Sequence, residues 1–225
     1  MTILLIGLVA TLAVNGLTMD LLERAFFAPA LAAAHFRAPI KTRATDGAKL
    51  RLYVLNTLLS LAILFGAAVF LYPRLFTDAP AGPARIALEI LGPLVIYDAT
   101  YYALHRWAFH HKKLMRYVHA LHHSARTPSA RESLYTHPVE LVAGLSLFLL
   151  STWVVGPVHV TSFLVTNFIY SQLNIIIHSG IAFPSGPMAA LNLWARKHHG
   201  HHGVDMDKNY GSISPLWDMV LGTSI

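Results

Sequence analysis

The chain contains no cysteine. That excludes disulfides, thiolate-held iron–sulfur clusters and cysteine zinc sites. Charge is scarce as well. Only 12% of the 225 residues are Asp, Glu, Lys or Arg, against roughly 25% in soluble domains. Hydrophobic residues make up 55%, and the mean hydropathy is +0.50. So few polar side chains cannot cover a fold in water, and the chain reads as an integral membrane protein. Its apolar runs approach the ~20 residues a helix needs to cross a bilayer, without the alternation of barrel strands. It has no separate basic domain and no aromatic RNA-reading box, so the net charge of +6 does not point to nucleic acid. The first 26 residues lack a basic start and a small-residue cleavage site and read as a retained helix, not a signal peptide.

The apolar runs predict spans at about 3–22, 52–72, 86–104, 139–155 and 158–178. Gly156-Pro157 breaks the last two into a tight hairpin, Pro73 ends the second, and 77–83 is a turn-rich loop. Residues 30–51 form a basic, partly amphipathic connector at the membrane interface. The expected fold is all-α: a polytopic membrane bundle of four to five spans with a cytoplasmic helical cap, residues 1–225 forming a single domain. Four spans would remain if the first stretch were re-entrant. Of the 17 lysines and arginines, only Arg74 and Arg85 fall in loops on one side. The positive-inside rule makes the other side cytoplasmic, with the N-terminus outside and the C-terminus inside.

What the chain does have is histidine. There are 14, and apart from His35 and His159, read as ordinary satisfied residues, all lie on the predicted cytoplasmic side or at its boundary. His119, His122 and His123 repeat the spacing of His198, His201 and His202. Positions i, i+3 and i+4 share one helix face, so each triplet is expected to aim three imidazoles at one point. His105 and His110 end the third span; His178 ends the fifth, with Asn174 one turn earlier on the same face. Nine imidazoles exceed one metal site and suit two with open positions. Imidazole suits zinc, copper, iron and nickel. Neither the Glu-x-x-His pairs of soluble di-iron bundles nor the His-Glu-x-x-His of metalloproteases occurs.

Other residues fill out the expected site. Asp98 runs at helical spacing with Tyr101, Tyr102 and His105, and a carboxylate inside a span is a functional candidate by default. It is expected to accept the second N–H of a ligand imidazole, the alternative being a hydrogen bond to a hydroxyl. Glu140 and Asp205 are similar candidates. His137 either orients a ligand or caps a helix, and His111 and His199 sit one step round the helix from the main set.

Taken in order, the motifs H-x4-H (His105, His110), H-x2-H-H (His119, His122, His123), THPVE, a second H-x2-H-H (His198, His201, His202) and NYGSISPLWDMVLGT resemble those of the fatty acid hydroxylase and sterol desaturase superfamily of membrane di-iron enzymes. The resemblance runs from about Tyr97 to Thr223. It implies a helical membrane scaffold, a cytoplasmic centre of two Fe ions and O2-dependent hydroxylation of a lipid C–H bond. It names His105, His110, His119, His122, His123, His198, His201 and His202 as ligands, with His178 as a further one. Asn174 stands where some relatives carry histidine, as a weak or water-mediated ligand. Zinc is expected as a substitute in purified protein. The linker from His110 to His119 is short, Leu221 stands where phenylalanine is common, and many relatives continue beyond the closing motif.

No haem-binding or flavin-binding domain is apparent, so electrons would come from a separate donor, a ferredoxin or a cytochrome b5-like protein, drawn by the basic face. The lipid would enter from the bilayer. A desaturase or carotenoid hydroxylase would use the same centre. A zinc hydrolase or isomerase fits nine histidines poorly. A non-enzymatic metal transporter or sensor would need a polar path through the spans, whose middles are apolar.

Overall fold

The computed structural model describes residues 1–40, 44–203 and 205–225. Five long helices arise where the apolar runs lie: α1 Thr2–Phe27, α2 Asp46–Phe70, α4 Pro83–Ala103, α7 Pro138–Val155 and α8 Val160–Ile177. Short α3 Tyr72–Leu75 follows α2, and α5 Lys112–Leu114, α6 Ala120–His123, α9 Asn192–Gly203 and α10 Leu216–Val220 lie at one end of the bundle. The starts are capped as helix termini require. Thr45 accepts from the Ala48 N–H; the Nδ1 atoms of His137 and His159 accept from Val139 and Thr161. The Thr45 cap starts α2 at Asp46, ahead of the expected 52, so Asp46–Arg51 belong to the helix and not to the connector. Lys41 and Arg43 of that connector lie outside the described residues.

Helices α1, α2, α7 and α8 are each long and apolar enough to cross a membrane. Their outward side chains, among them Ile3, Ile6, Leu17, Leu21, Val54 and Leu58, are exposed. An apolar surface of this extent is stable against lipid, not water. The protein is therefore a multi-pass membrane bundle.

The expected span at 86–104 is a helix, α4, but its Arg85, Glu89 and Asp98 keep it out of the apolar set. One face of it packs against α7 and α8, while Leu88, Leu91 and Val95 on its other face are exposed. Glu89 is buried there, accepting from Arg85 Nε at 2.6 Å and from the His159 N–H at 2.9 Å. A polar group at membrane depth persists only when the protein satisfies it in this way.

The five helices alternate in direction. At one end the Met1 amino group meets the Tyr72 hydroxyl, Arg85 donates to the Pro157 carbonyl, and Phe76–Thr77 (β1) pairs in parallel with Val158–His159 (β2). Gly156 makes that hairpin with φ 103°, a conformation that favours glycine. At the other end, His35 Nε2 donates to the Phe26 carbonyl, Lys49 pairs with Glu132, and fully buried Asn56 donates to the carbonyls of Leu134 and Thr136. These ties fix residues 124–137 over the ends of α1 and α2, and with them the first histidine triplet.

Candidate metal centre

All nine histidines come together at that second end, as two groups. His105, His110, His119, His123 and His201 form one; His122, His178, His198 and His202 form the other. Within each group one nitrogen per imidazole lies within 4.8 Å of all the others.

Local backbone geometry explains the membership. His105 and His110 are five residues apart, which on an α-helix turns them about 140° away from each other. The chain from Leu104 to Phe109 is instead a π-helix, and the His110 N–H bonds to the His105 carbonyl at 3.0 Å. The wider turn returns both rings to one side. A second π stretch, Met115–His119, delivers His119.

The triplets do not aim at one point, as expected from spacing, but split. His119 and His123 (i, i+4) join the five-histidine group, and His122 (i+3) joins the other. In α9 the split is reversed: His198 and His202 join the four-histidine group and His201 the five. Positions i and i+4 are only about 40° apart around a helix, whereas i+3 and i+4 are about 100° apart. Each helix thus feeds both groups, and neither group exists without both helices.

The hydrogen bonds fix six of the nine tautomers. The Nδ1–H groups of His105, His122, His178, His201 and His202 donate to the carbonyls of Tyr210 (2.7 Å), Tyr135 (3.3 Å), Asn174 (2.6 Å), Lys208 (2.5 Å) and Ala125 (2.9 Å). That of His119 donates to Glu140 at 2.9 Å. A neutral imidazole with its proton on Nδ1 has a bare lone pair on Nε2. Yet Nε2 of His105 lies 2.9 Å from that of His119 and 3.1 Å from that of His201, and His122 and His178 face each other at 3.3 Å. No proton is available between these fixed pairs.

Protonating the rings is opposed as well. Burial first, then neighbouring imidazoles, hold His105, His198, His201 and His202 well below the usual histidine range, and push His123 down. Half-buried His110 is lowered to about 4 by burial and by His119. Converging bare lone pairs in a dry site fit a cation at the centre of each group. The all-nitrogen donor set fits iron or zinc and not the oxygen-seeking magnesium or calcium.

The remaining expected residues divide. Glu140, buried, holds His119. Among the described residues Asp98 makes no hydrogen bond to an imidazole: it accepts from the Ser214 N–H at 3.1 Å and from its hydroxyl at 2.5 Å. A carboxylate in α4 finds the nearest free donors, and those belong to the loop packed on it. His137 caps α7, its Nδ1 accepting from the Val139 N–H. Asn174 serves through its backbone carbonyl, while its side chain lines a cavity. Asp205 makes no side-chain hydrogen bond among the described residues; its backbone carbonyl accepts from Lys208. His111 is exposed; His199 is buried beside Phe36, ring centroids 6.0 Å apart.

The backbone carbonyls of Ala125, Tyr135, Lys208 and Tyr210 were not visible in the sequence as site groups, because a carbonyl carries no side-chain signature. Only the NYG…WD motif around Tyr210 marked one of them.

A cavity of about 180 Å³ runs from between α1, α2, α7 and α8 to the histidines. Leu8, Leu12, Leu61 and Leu145 line its membrane side, and His105, His122, His178 and His198 its inner end. Three of those four belong to the four-histidine group.

The sequence model of the fatty acid hydroxylase family matches residues 90–223. Methylsterol monooxygenase 1 of Rattus norvegicus is 31% identical over 141 residues, covering 60% of this chain and 46% of that protein. Methylsterol monooxygenase 1 of Danio rerio is 28% identical over 160 residues, covering 68% and 52%. A very-long-chain aldehyde decarbonylase of Oryza sativa subsp. indica is 34% identical over 146 residues, covering 61% and 53%. The chain spans about half the length of the curated relatives it matches. No solved structure matches.

Proposed function

This chain belongs to the fatty acid hydroxylase family, and from that premise we propose that it is a membrane oxidoreductase that hydroxylates a lipid C–H bond at a pair of irons held by the nine histidines. The reaction takes O2, two electrons and two protons; one oxygen atom leaves as water and the other enters the C–H bond as a hydroxyl. The irons, when bound, supply O2 activation, and the protein supplies the remainder.

The observation that carries this reading is the convergence of buried, tautomer-fixed Nε2 lone pairs at the end of a cavity that starts between apolar helices. His105, His110, His119, His123 and His201 hold one ion and His122, His178, His198 and His202 the other. Glu140 keeps the His119 proton on Nδ1, so that Nε2 stays free for the metal. The leucine-lined approach excludes water and takes an apolar portion of the lipid. Its volume slightly exceeds the ~150 Å³ that accommodates a benzene ring, so a ring or a length of chain fits with the target carbon against the inner histidines. The names of the relatives favour a methylsterol or a long-chain lipid of similar girth.

Electrons come from a separate donor. Lys112, Lys113 and Arg116 are exposed immediately after His110, a basic surface beside the five-histidine group that suits an acidic protein. The histidine end carries most of the lysines and arginines and is the cytoplasmic side. Residues 1–225 work as one unit, with the chemistry in about 97–223.

Metal analysis of detergent-purified protein tests this. Two irons per chain are expected, with His201→Ala and His202→Ala each removing one. Zinc in place of iron is consistent only if iron reconstitution restores O2 consumption with a lipid and a reductant. No metal, or metal insensitive to both substitutions, sinks the reading. Product analysis then separates hydroxylation from desaturation, and activity indifferent to donor charge and salt would refute the docking surface.

A further inference from the structure

Two of the carbonyls that fix the five-histidine group, Lys208 for His201 and Tyr210 for His105, lie two residues apart in the loop that precedes α10. What holds this loop is Asp218, 1% exposed. Its Oδ1 accepts from the Tyr210 N–H at 2.8 Å and from the Thr223 hydroxyl at 2.7 Å; its Oδ2 accepts from the Gly211 N–H at 2.8 Å. Its backbone carbonyl accepts from Thr223 and Ser224. Asn209, in the left-handed region at φ 56°, donates its N–H to the Thr223 carbonyl at 2.8 Å. A Cβ on Gly211 would stand 2.2 Å from the Ser214 carbonyl oxygen and 2.8 Å from Asp218 Oδ2, so only glycine leaves room for the clamp. Asp98 grips the same loop from α4 through Ser214.

Among the described residues, this loop accepts no Nδ1 proton from the four-histidine group. Its fixed Nδ1 protons go to Tyr135, Asn174 and Ala125, all outside the closing segment. We propose that Asp218 is a positioning residue for the five-histidine group alone: its carboxylate sets the loop carbonyls that keep the Nε2 atoms of His105 and His201 free for a metal. The proposal rests on the reading of both groups as metal sites. An aspartate is required because all three of its side-chain partners are donors. An asparagine must turn its own N–H2 towards one of them and lose that bond.

The test is iron retention against a competing chelator, with iron per chain and the Mössbauer spectrum read on full-length detergent-purified protein. Asp218→Asn is expected to weaken the five-histidine site by about 10–100-fold, the usual range for a ligand's hydrogen-bond partner, and to leave the other site unchanged. In an Asp218→Asn/His201→Ala protein no further iron should be lost; in Asp218→Asn/His198→Ala both irons should go. Thr223→Val, which removes one bond to the carboxylate and the hydroxyl's bond with Tyr102, is expected to shift the same site less, and it serves if Asp218→Asn does not fold. Retention equal to wild type in both variants overturns the proposal. So does parallel loss from both sites, the mark of a merely structural role. Wild-type protein holding fewer than two irons overturns the two-metal reading first, and this proposal with it.

Discussion

The two histidine groups use the same ligand chemistry and differ in what surrounds them. The five-histidine group has a half-buried member, His110, next to exposed Lys112 and Lys113, and it is oriented by Glu140 and by the closing loop. The four-histidine group is buried throughout, leans on carbonyls from 125–135 and α8, and supplies most of the imidazoles at the cavity end. Identical side chains can therefore be given different access and different support by backbone placement alone. Only the five-histidine group has a member beside the exposed basic surface, and three of the four imidazoles at the cavity end belong to the other.

The largest effects should come from breaking one group at a time. His202→Ala removes an imidazole from the four-histidine group, and turnover is expected to fall to background while one metal remains. His201→Ala should give the mirror result, and metal analysis with O2 uptake checks both. If either substitution emptied both groups, the comparison would fail.

Acid should act on both groups. Histidine pKa values depressed in the folded state keep the rings neutral there, while the unfolded chain takes up protons below about 6.5. The unfolded state then binds more protons, so these groups contribute fully to metal-free stability above that pH and the contribution is lost as pH falls. For His110 the window closes at about 4; for His198 and His202 it extends lower. Thermal unfolding of metal-free protein from pH 8 down to pH 4 should show the decline. Ring protonation competes with metal binding, so both groups should lose metal as the pH falls.

Glu140→Gln should have an intermediate effect. An amide oxygen still accepts from His119 but carries no charge, so affinity in the five-histidine group is expected to drop by about 10–100-fold, with the other group intact. Chelator competition reads this directly. Widening the contrast from the cavity side, Gly144→Leu should raise KM or lower kcat with both metals in place, because Gly144 lines the cavity and binds neither group. The smallest effect is expected of Asn174→Ala. The His178 proton goes to the backbone carbonyl of Asn174, which the substitution keeps, so metal content should not change.

The legibility of the fold follows the same divide. The apolar runs marked all five long helices, because hydrophobic length is a property of consecutive residues. Their edges moved where capping decided, as at Thr45. The nine histidines stood out by density and repeat. Spacing alone could not choose between the two readings of Asp98: it stands at helical spacing from His105, whereas the hydroxyl it accepts from, that of Ser214, is 116 residues away in sequence. Glu140 was legible as a candidate acid, the last residue of the THPVE motif, and its pairing with His119 depended on how α7 meets the second π stretch.

Composition and spacing were sufficient to mark a membrane bundle with its histidines gathered at one end, since both depend on residues near one another in the chain. How nine imidazoles divide into five and four could not be read there. That division depends on the twist of two helices relative to each other, on π turns that move His105 and His110 to one side, and on distant carbonyls that fix each ring's proton. Those are contacts between segments, and a metal site is defined by where lone pairs meet in space.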